Sequence, residues 1–156
     1  MTAALLCAAI VAVWGAEIPP ARACAAATII VEVAGAEDPV LVAAIAIGES
    51  RLDPAATNGR ACGPMAVVAP PARCRAWARD ERAGYVAGVA MLGQARAYCA
   101  RRARRRAPGI GPGLLCTLAV YASGPRGARD RLYRQPRAML RRARALRAAM
   151  PMGGSS

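Results

Sequence analysis

An all-α, single-domain fold is what the sequence predicts, on three observations. Ala dominates a hydrophobic content of 56% while aromatic residues supply 4% and Phe is absent. A core must then be assembled from Leu, Ile, Val, Met and closely packed Ala, which suits helices. Apolar residues recur at helical spacing in segments set apart by Pro and Gly, and 156 residues is the length of one domain able to bury a core.

The elements follow in order. Thr2 to Ala16 is an uncharged apolar run, too short for a membrane span and of the length of a signal-peptide core, and Ala21-Arg22-Ala23 follows as an A-x-A cleavage pattern. Residues 1–23 are therefore expected to be a secretory signal, with an uncleaved N-terminal membrane anchor as the alternative. No basic stretch precedes the run. Cys24 follows Pro-Ala-Arg-Ala, which lacks the apolar residue of a lipobox. The expected location is periplasmic or extracellular.

Ala25 to Ala34 predicts a first helix, or else a short strand, since the pattern alone does not separate them. Gly35-Ala-Glu-Asp38-Pro39 combines a turn residue, a capping acid and a Pro suited to the first helical position. Val40, Leu41, Ala44, Ile45 and Gly48 then follow at helical spacing, and the helix should end near Glu49 to Arg51, because Pro54 disfavours helical geometry at Asp53.

Asp53 to Pro71 is rich in Pro, Gly and small residues and predicts an irregular excursion, a length of loop that is usually functional. Helical periodicity resumes over Arg75 to Ala107, with Tyr85, Val89, Leu92 and Cys99 on one face. Arg101, Arg102, Arg104, Arg105 and Arg106 stand at its end, where cations complement the helix dipole. Pro108 to Gly113 predicts a linker. Leu114 to Ala122 predicts a short buried helix broken by Ser123-Gly124-Pro125. Residues 136–150 form an amphipathic helix with Met139, Ala143, Leu146 and Met150 on its apolar stripe, and residues 151–156 a disordered tail. The domain proper is thus expected at 24–135, and the protein as a monomer.

In an oxidising compartment cysteines pair. Cys62, Cys74, Cys99 and Cys116 make an even set in which proximity suggests 62 with 74 and 99 with 116, the other two connectivities remaining open. Cys24 is then odd: trimmed with the signal, paired with one of the four, or a free thiol. The chain has no His and no C-x-x-C spacing, so neither a zinc site nor any other metal or cofactor is expected.

All 22 basic residues are Arg, the formal net charge is +13, and removing residues 1–23 takes away only Glu17 and Arg22, so the charge belongs to the domain. An Arg-rich surface suits nucleic acid. No aromatic residues interleave the Arg clusters for base stacking, however, and an exported chain does not meet nucleic acid, so that partner is not expected. The cell envelope is itself polyanionic and would attract such a surface, while a coding bias toward Arg explains it without any partner.

With so few candidate groups, chemistry falls on one residue. Glu49 is a carboxylate at the end of an apolar helical run, just before a turn. Three spaced pieces around it resemble the lytic transglycosylases with a goose-type lysozyme-like domain. Asp38-Pro39-Val-Leu-Val-Ala-Ala-Ile-Ala-Ile-Gly-Glu49-Ser50-Arg-Leu-Asp53-Pro54 is similar to that family's catalytic helix and Glu-Ser turn. Ala61-Cys62-Gly63-Pro64-Met65-Ala66 stands where the family has Gly-Leu-Met-Gln, and Ala119-Val120-Tyr121-Ala122-Ser123-Gly124-Pro125 resembles its Ala-Tyr-Asn-Ala-Gly-Pro motif.

The resemblance implies a lysozyme-like fold and a peptidoglycan substrate, and it implies company with secretion, conjugation or phage machinery. It also implies roles: Glu49 as acid and base, Ser50 as an orienting or sugar-contacting hydroxyl, Met65 as a wall of the sugar cleft, and Tyr121 as hydrogen-bonded to Glu49. Gly63, Ser123 and Gly124 would shape or line the cleft. Asp53 reads as turn capping rather than a second catalytic carboxylate. The chain departs from the family where Ala66 replaces Gln, Ala122 replaces Asn, Pro64 replaces Leu and Ser123 replaces Ala. The expected activity is therefore that of a lytic transglycosylase, with two alternatives: a lysozyme cutting the same bond, or an inactive wall-binding or secretion-assembly protein.

Overall fold

A computed structural model describes residues 1–104, 113–127 and 134–151. Its described residues form seven helices and one minimal hairpin, an all-α fold as expected. Helix α1 (Ala3–Trp14) starts at Thr2, whose hydroxyl accepts the Leu5 N–H at 3.3 Å. Helix α2 (Pro20–Val33) begins with Pro at its first turn, where the missing N–H costs nothing. Helix α3 (Pro39–Ser50) follows the expected cap: Asp38 Oδ1 accepts the Val40 N–H at 2.9 Å and Pro39 occupies the first position.

Every residue of α3 from Val40 to Ile47 is buried. A helix apolar all round belongs at the centre of a bundle, and α3 lies between α2 and helix α7 (Arg134–Ala149). It stops at Arg51, which takes a left-handed conformation at φ 56°, followed by Leu52 at φ 62°.

The excursion after α3 is irregular except for strands β1 (Ala61–Cys62) and β2 (Val67–Val68), antiparallel with Ala61 opposite Val68 and Cys62 opposite Val67. Asp53 Oδ1 accepts the Ala55 N–H at 3.0 Å, the turn role expected of it. Asn58 Oδ1 accepts from the N–H groups of Arg60 and Ala61 at 3.1 and 2.8 Å. The Cys62–Cys74 disulfide ties the hairpin to helix α4 (Pro71–Arg79).

The single helix expected over 75–107 is two. Asp80 leaves helical geometry at φ −126°, ψ 87°, and its carboxylate accepts the Ala83 N–H, capping helix α5 (Glu81–Arg104). A capping residue must be non-helical, so the acid that starts α5 also ends α4. Helix α6 (Leu114–Gly127) is interrupted at Gly124, φ 70° and ψ 174°, the break expected there. A second disulfide, Cys99–Cys116, joins α5 to α6. The linker expected over 108–113 lies, apart from Gly113, outside the described residues, and so does the tail from residue 152.

Residues 1–23, expected to be a removable leader, carry α1, which packs on α2 and α7 with Leu6, Ala9, Ile10 and Ile18 in the core. Cys24, expected to be odd, bonds Cys7 of α1 with their Cα atoms 4.6 Å apart. Among the described residues no helix is long and apolar enough to cross a membrane. The C-terminal amphipathic helix expected over 136–150 is α7, which packs on α3, α1 and α6. It starts at Arg134, buries Met139, Ala143 and Leu146 as its stripe predicted, and covers α3.

Helices α3 and α7 run antiparallel. Arg147, near the end of α7, pairs with Asp38 at the start of α3, while Gln135, at the start of α7, reaches Glu49 at the end of α3. Between them Arg142 lies over Gly48, where an added Cβ would stand 2.9 Å from the guanidinium carbon. The absence of a side chain at position 48 leaves room for the Arg142 guanidinium over the last turn of α3.

Candidate functional site

Glu49 is half-buried on the last turn of α3, above the apolar residues 40–47. Burial raises its pKa above the ordinary carboxylate value, because a charged carboxylate loses hydration there. The hydrogen bond from Gln135 and the positive charge of Arg142 act in the opposite direction and offset part of that rise. The Gln135 amide N–H donates to Glu49 Oε1 at 2.8 Å. A carboxyl held in this way can carry a proton nearer to neutrality than a free one, as a general acid requires.

Glu49 opens into a cleft of about 1010 Å³. One wall is a stripe of α5 made by Met91, Gln94, Ala95, Tyr98 and Arg101, residues three or four apart and so on one helix face. The excursion supplies Asn58, Arg60, Ala61, Ala66 and Val68, and α6 supplies Val120 to Gly124. Gln135 closes the side beside Glu49. Among the described lining residues Glu49 is the one carboxylate. Asn58, Gln94 and Gln135 are the only carboxamide side chains in the entire sequence, and all three line this cleft.

The residues singled out from sequence divide. Glu49, Tyr121, Ser123 and Gly124 line the cleft, while Gly63, at φ 75°, borders a recess of about 110 Å³ that also touches Glu49 and Ala66. Ser50 and Met65 do not line it, which corrects two expectations. Ser50 Oγ shares its one proton between Pro64 O at 2.8 Å and Ala46 O at 3.1 Å, and accepts the Asp53 N–H at 3.1 Å. It pins the hairpin turn to α3 and is thereby committed. Met65 is fully buried, pressed on α5 at Gly88, where only a glycine leaves room for it.

Tyr121 is corrected in its partner. Its hydroxyl donates to the Met65 carbonyl rather than to Glu49, and burial, with the Glu49 charge a smaller cause, raises its pKa well beyond the phenolic range. It stays neutral and fixes the turn that carries Ala66. Ser123 Oγ donates to Ala119 O at 2.9 Å, within its own helix.

Backbone strain gathers at the same place. The three non-glycine residues with positive φ among the described residues, Arg51, Leu52 and Ala66, all lie near Glu49, in the turn after it and in the facing hairpin. Such conformations cost roughly 1–3 kcal/mol each and persist where surrounding structure imposes them, a situation common at functional sites.

Sequence reasoning missed Asn58, Arg60, Gln94, Tyr98, Arg101 and Gln135. The spacing of 91, 94, 98 and 101 was available as a second face of α5, and the rarity of carboxamides in an Arg- and Ala-rich chain marked Asn58, Gln94 and Gln135. Nothing local joined Gln135 to Glu49 across 86 positions. No family model, no curated protein and no solved structure matches this chain.

Proposed function

We propose that the chain is a peptidoglycan lytic transglycosylase, cleaving the β-1,4 bond between N-acetylmuramic acid and N-acetylglucosamine with Glu49 as its single acid and base. The observation that carries this reading is the convergence on one cleft of a half-buried carboxyl, alone among the described lining residues, with all three carboxamides of the chain. Carboxamides both donate and accept, as hydroxyl and N-acetyl groups of a glycan require. Arg60 and Arg101 supply cations for the carboxylates of lactyl groups and peptide stems.

The chemistry needs no second carboxylate. Glu49 delivers its proton to the glycosidic oxygen as the C1–O bond breaks, and the N-acetylglucosamine hydroxyl leaves. The Glu49 carboxylate then takes the proton of the muramoyl 6-hydroxyl while that oxygen bonds to C1. A 1,6-anhydro ring forms, and Glu49 regains the proton it gave. Hydrolysing glycosidases instead place two carboxylates about the bond, and the described lining holds one.

Three disulfides and no membrane-spanning helix among the described residues are compatible with an exported protein. We propose the periplasm or extracellular space as its place of action and peptidoglycan strands, within secretion, conjugation or phage machinery, as its partner. Digestion of purified sacculi with mass spectrometry of the released muropeptides tests the reading. Anhydro ends lost in Glu49→Gln support it, reducing ends indicate a lysozyme, and intact sacculi with retained protein indicate the inactive binder that Ala66 and Ala122 suggest.

A further inference from the structure

We propose that Gln135 is the positioning residue of Glu49; the inference rests on Glu49 acting as acid and base. The amide nitrogen donates to Oε1 at 2.8 Å, and Oε2 has no hydrogen-bond partner among the described residues. One carboxylate oxygen is thus held and the other remains for the substrate. An amide suits both halves of such a reaction. Its N–H donates to Oε1 in the carboxylate and in the acid alike, so the proton is carried on Oε2, facing the substrate.

Its placement is a consequence of helix register. Gln135 belongs to the first turn of α7, and α7 is set against α3 by three features: the Asp38–Arg147 pair at the far end, the seating of Arg142 over Gly48, and the buried stripe of Met139, Ala143 and Leu146 between. Eleven residues separate Asp38 from Glu49 and twelve separate Gln135 from Arg147. At 1.5 Å per residue both spans are roughly 17 Å, so the two end contacts are satisfied together. The basic C-terminal helix thereby becomes part of the active site rather than a surface addition.

Gln135→Leu keeps the size and removes the donor. The groups facing Glu49 are otherwise unchanged: Arg142 from α7, Tyr121 from α6, and the more distant Arg60, Tyr98 and Arg101 of the cleft. Losing a donor to the charged form makes the proton harder to remove. The Glu49 carboxyl titration, followed by carbon NMR, should move upward by about half a unit to one unit. In muropeptide release kcat should fall about tenfold, while the alkaline limb of its pH profile, set by loss of the protonated acid, moves to higher pH in step. Gln135→Asn, one methylene short, should shift both in the same direction and serves if the leucine variant is poorly folded. A loss of activity with an unmoved titration and an unmoved limb overturns the inference and leaves a structural role. Because the NMR titration needs no turnover, a wild-type protein that fails to cut sacculi refutes the functional reading while the Gln135–Glu49 coupling is still read separately.

Discussion

A methyl group at position 88 should damage the cleft from behind. Gly88 lies on α5 beneath the hairpin turn, and a Cβ built there stands 2.6 Å from Met65 Cβ and 2.9 Å from its Cγ. Carbon atoms in contact rest about 3.5–4.0 Å apart, so Met65 must withdraw by roughly 1 Å. Three ties resist: Ser50 Oγ on the Pro64 carbonyl, the Tyr121 hydroxyl on the Met65 carbonyl, and the Cys62–Cys74 disulfide. Overpacking costs about 1–3 kcal/mol, and alanine for glycine inside a helix returns up to about 1 kcal/mol.

Gly88→Ala should therefore lose about 1–2 kcal/mol, a fall in Tm of roughly 2–8 °C in a chain of this size. Muropeptide release should fall further than stability does, because a displacement of about 1 Å at a reacting group can cost roughly a hundredfold. Calorimetry and a sacculus digest measure the two. Gly48→Ala is the comparison: its Cβ would meet the guanidinium of Arg142, the end of a flexible side chain, which can swing aside, so its Tm should stay close to wild type. A Gly88→Ala protein as stable as wild type, or one more stable than Gly48→Ala, would refute the packing argument.

Glu49→Gln should abolish cleavage and also stabilise the fold near neutral pH. Burial raises the folded pKa, so the native state holds the proton more tightly than the unfolded chain. Wild-type stability then declines as pH rises from the unfolded value, about 4.3, through the folded one, and the Tm advantage of the variant should open over that window; equal Tm values at pH 7 would count against it. Tyr121→Phe leaves the Met65 carbonyl without its donor and should cost about 1–3 kcal/mol in denaturant unfolding. Reversing Arg60 and Arg101 to Glu should raise KM for sacculi by about tenfold and weaken its dependence on salt, with kcat little changed. Deleting residues 1–23 removes Leu6, Ile10 and Ile18 from the core, each worth about 1.5–3 kcal/mol, against a whole stability of about 5–15 kcal/mol. Calorimetry should show no cooperative transition; a product starting at Cys24 with the wild-type Tm would refute this and show residues 1–23 to be dispensable, as a leader is.

What was legible in the sequence was local. The Asp38 cap, Pro39 and the stop after Glu49 are backbone chemistry within a turn of the residues concerned, and all three stand in the structure. The Cys62–Cys74 and Cys99–Cys116 pairs were legible because short separations favour closure. Ambiguity came where one pattern serves two uses. The apolar run of α1 has the length of a signal core, and a short buried helix has it too, so the pattern alone serves both readings. Asp80 sits between two helices of like periodicity, where a cap is the sole mark of the break.

By itself the sequence determined a helical chain with one carboxylate, Glu49, on the last turn of an apolar helix, because periodicity, caps and turn residues are encoded in near neighbours. Only the tertiary structure decided what surrounds that carboxylate. It withdrew Ser50 and Met65 into the support of the hairpin, turned the Tyr121 hydroxyl toward a backbone carbonyl, and brought Asn58, Gln94 and Gln135 from three separate segments to one cleft. Which side chains meet across such separations depends on how helices pack and in what register, and the antiparallel seating of α7 on α3 is the contact that sets Gln135 against Glu49.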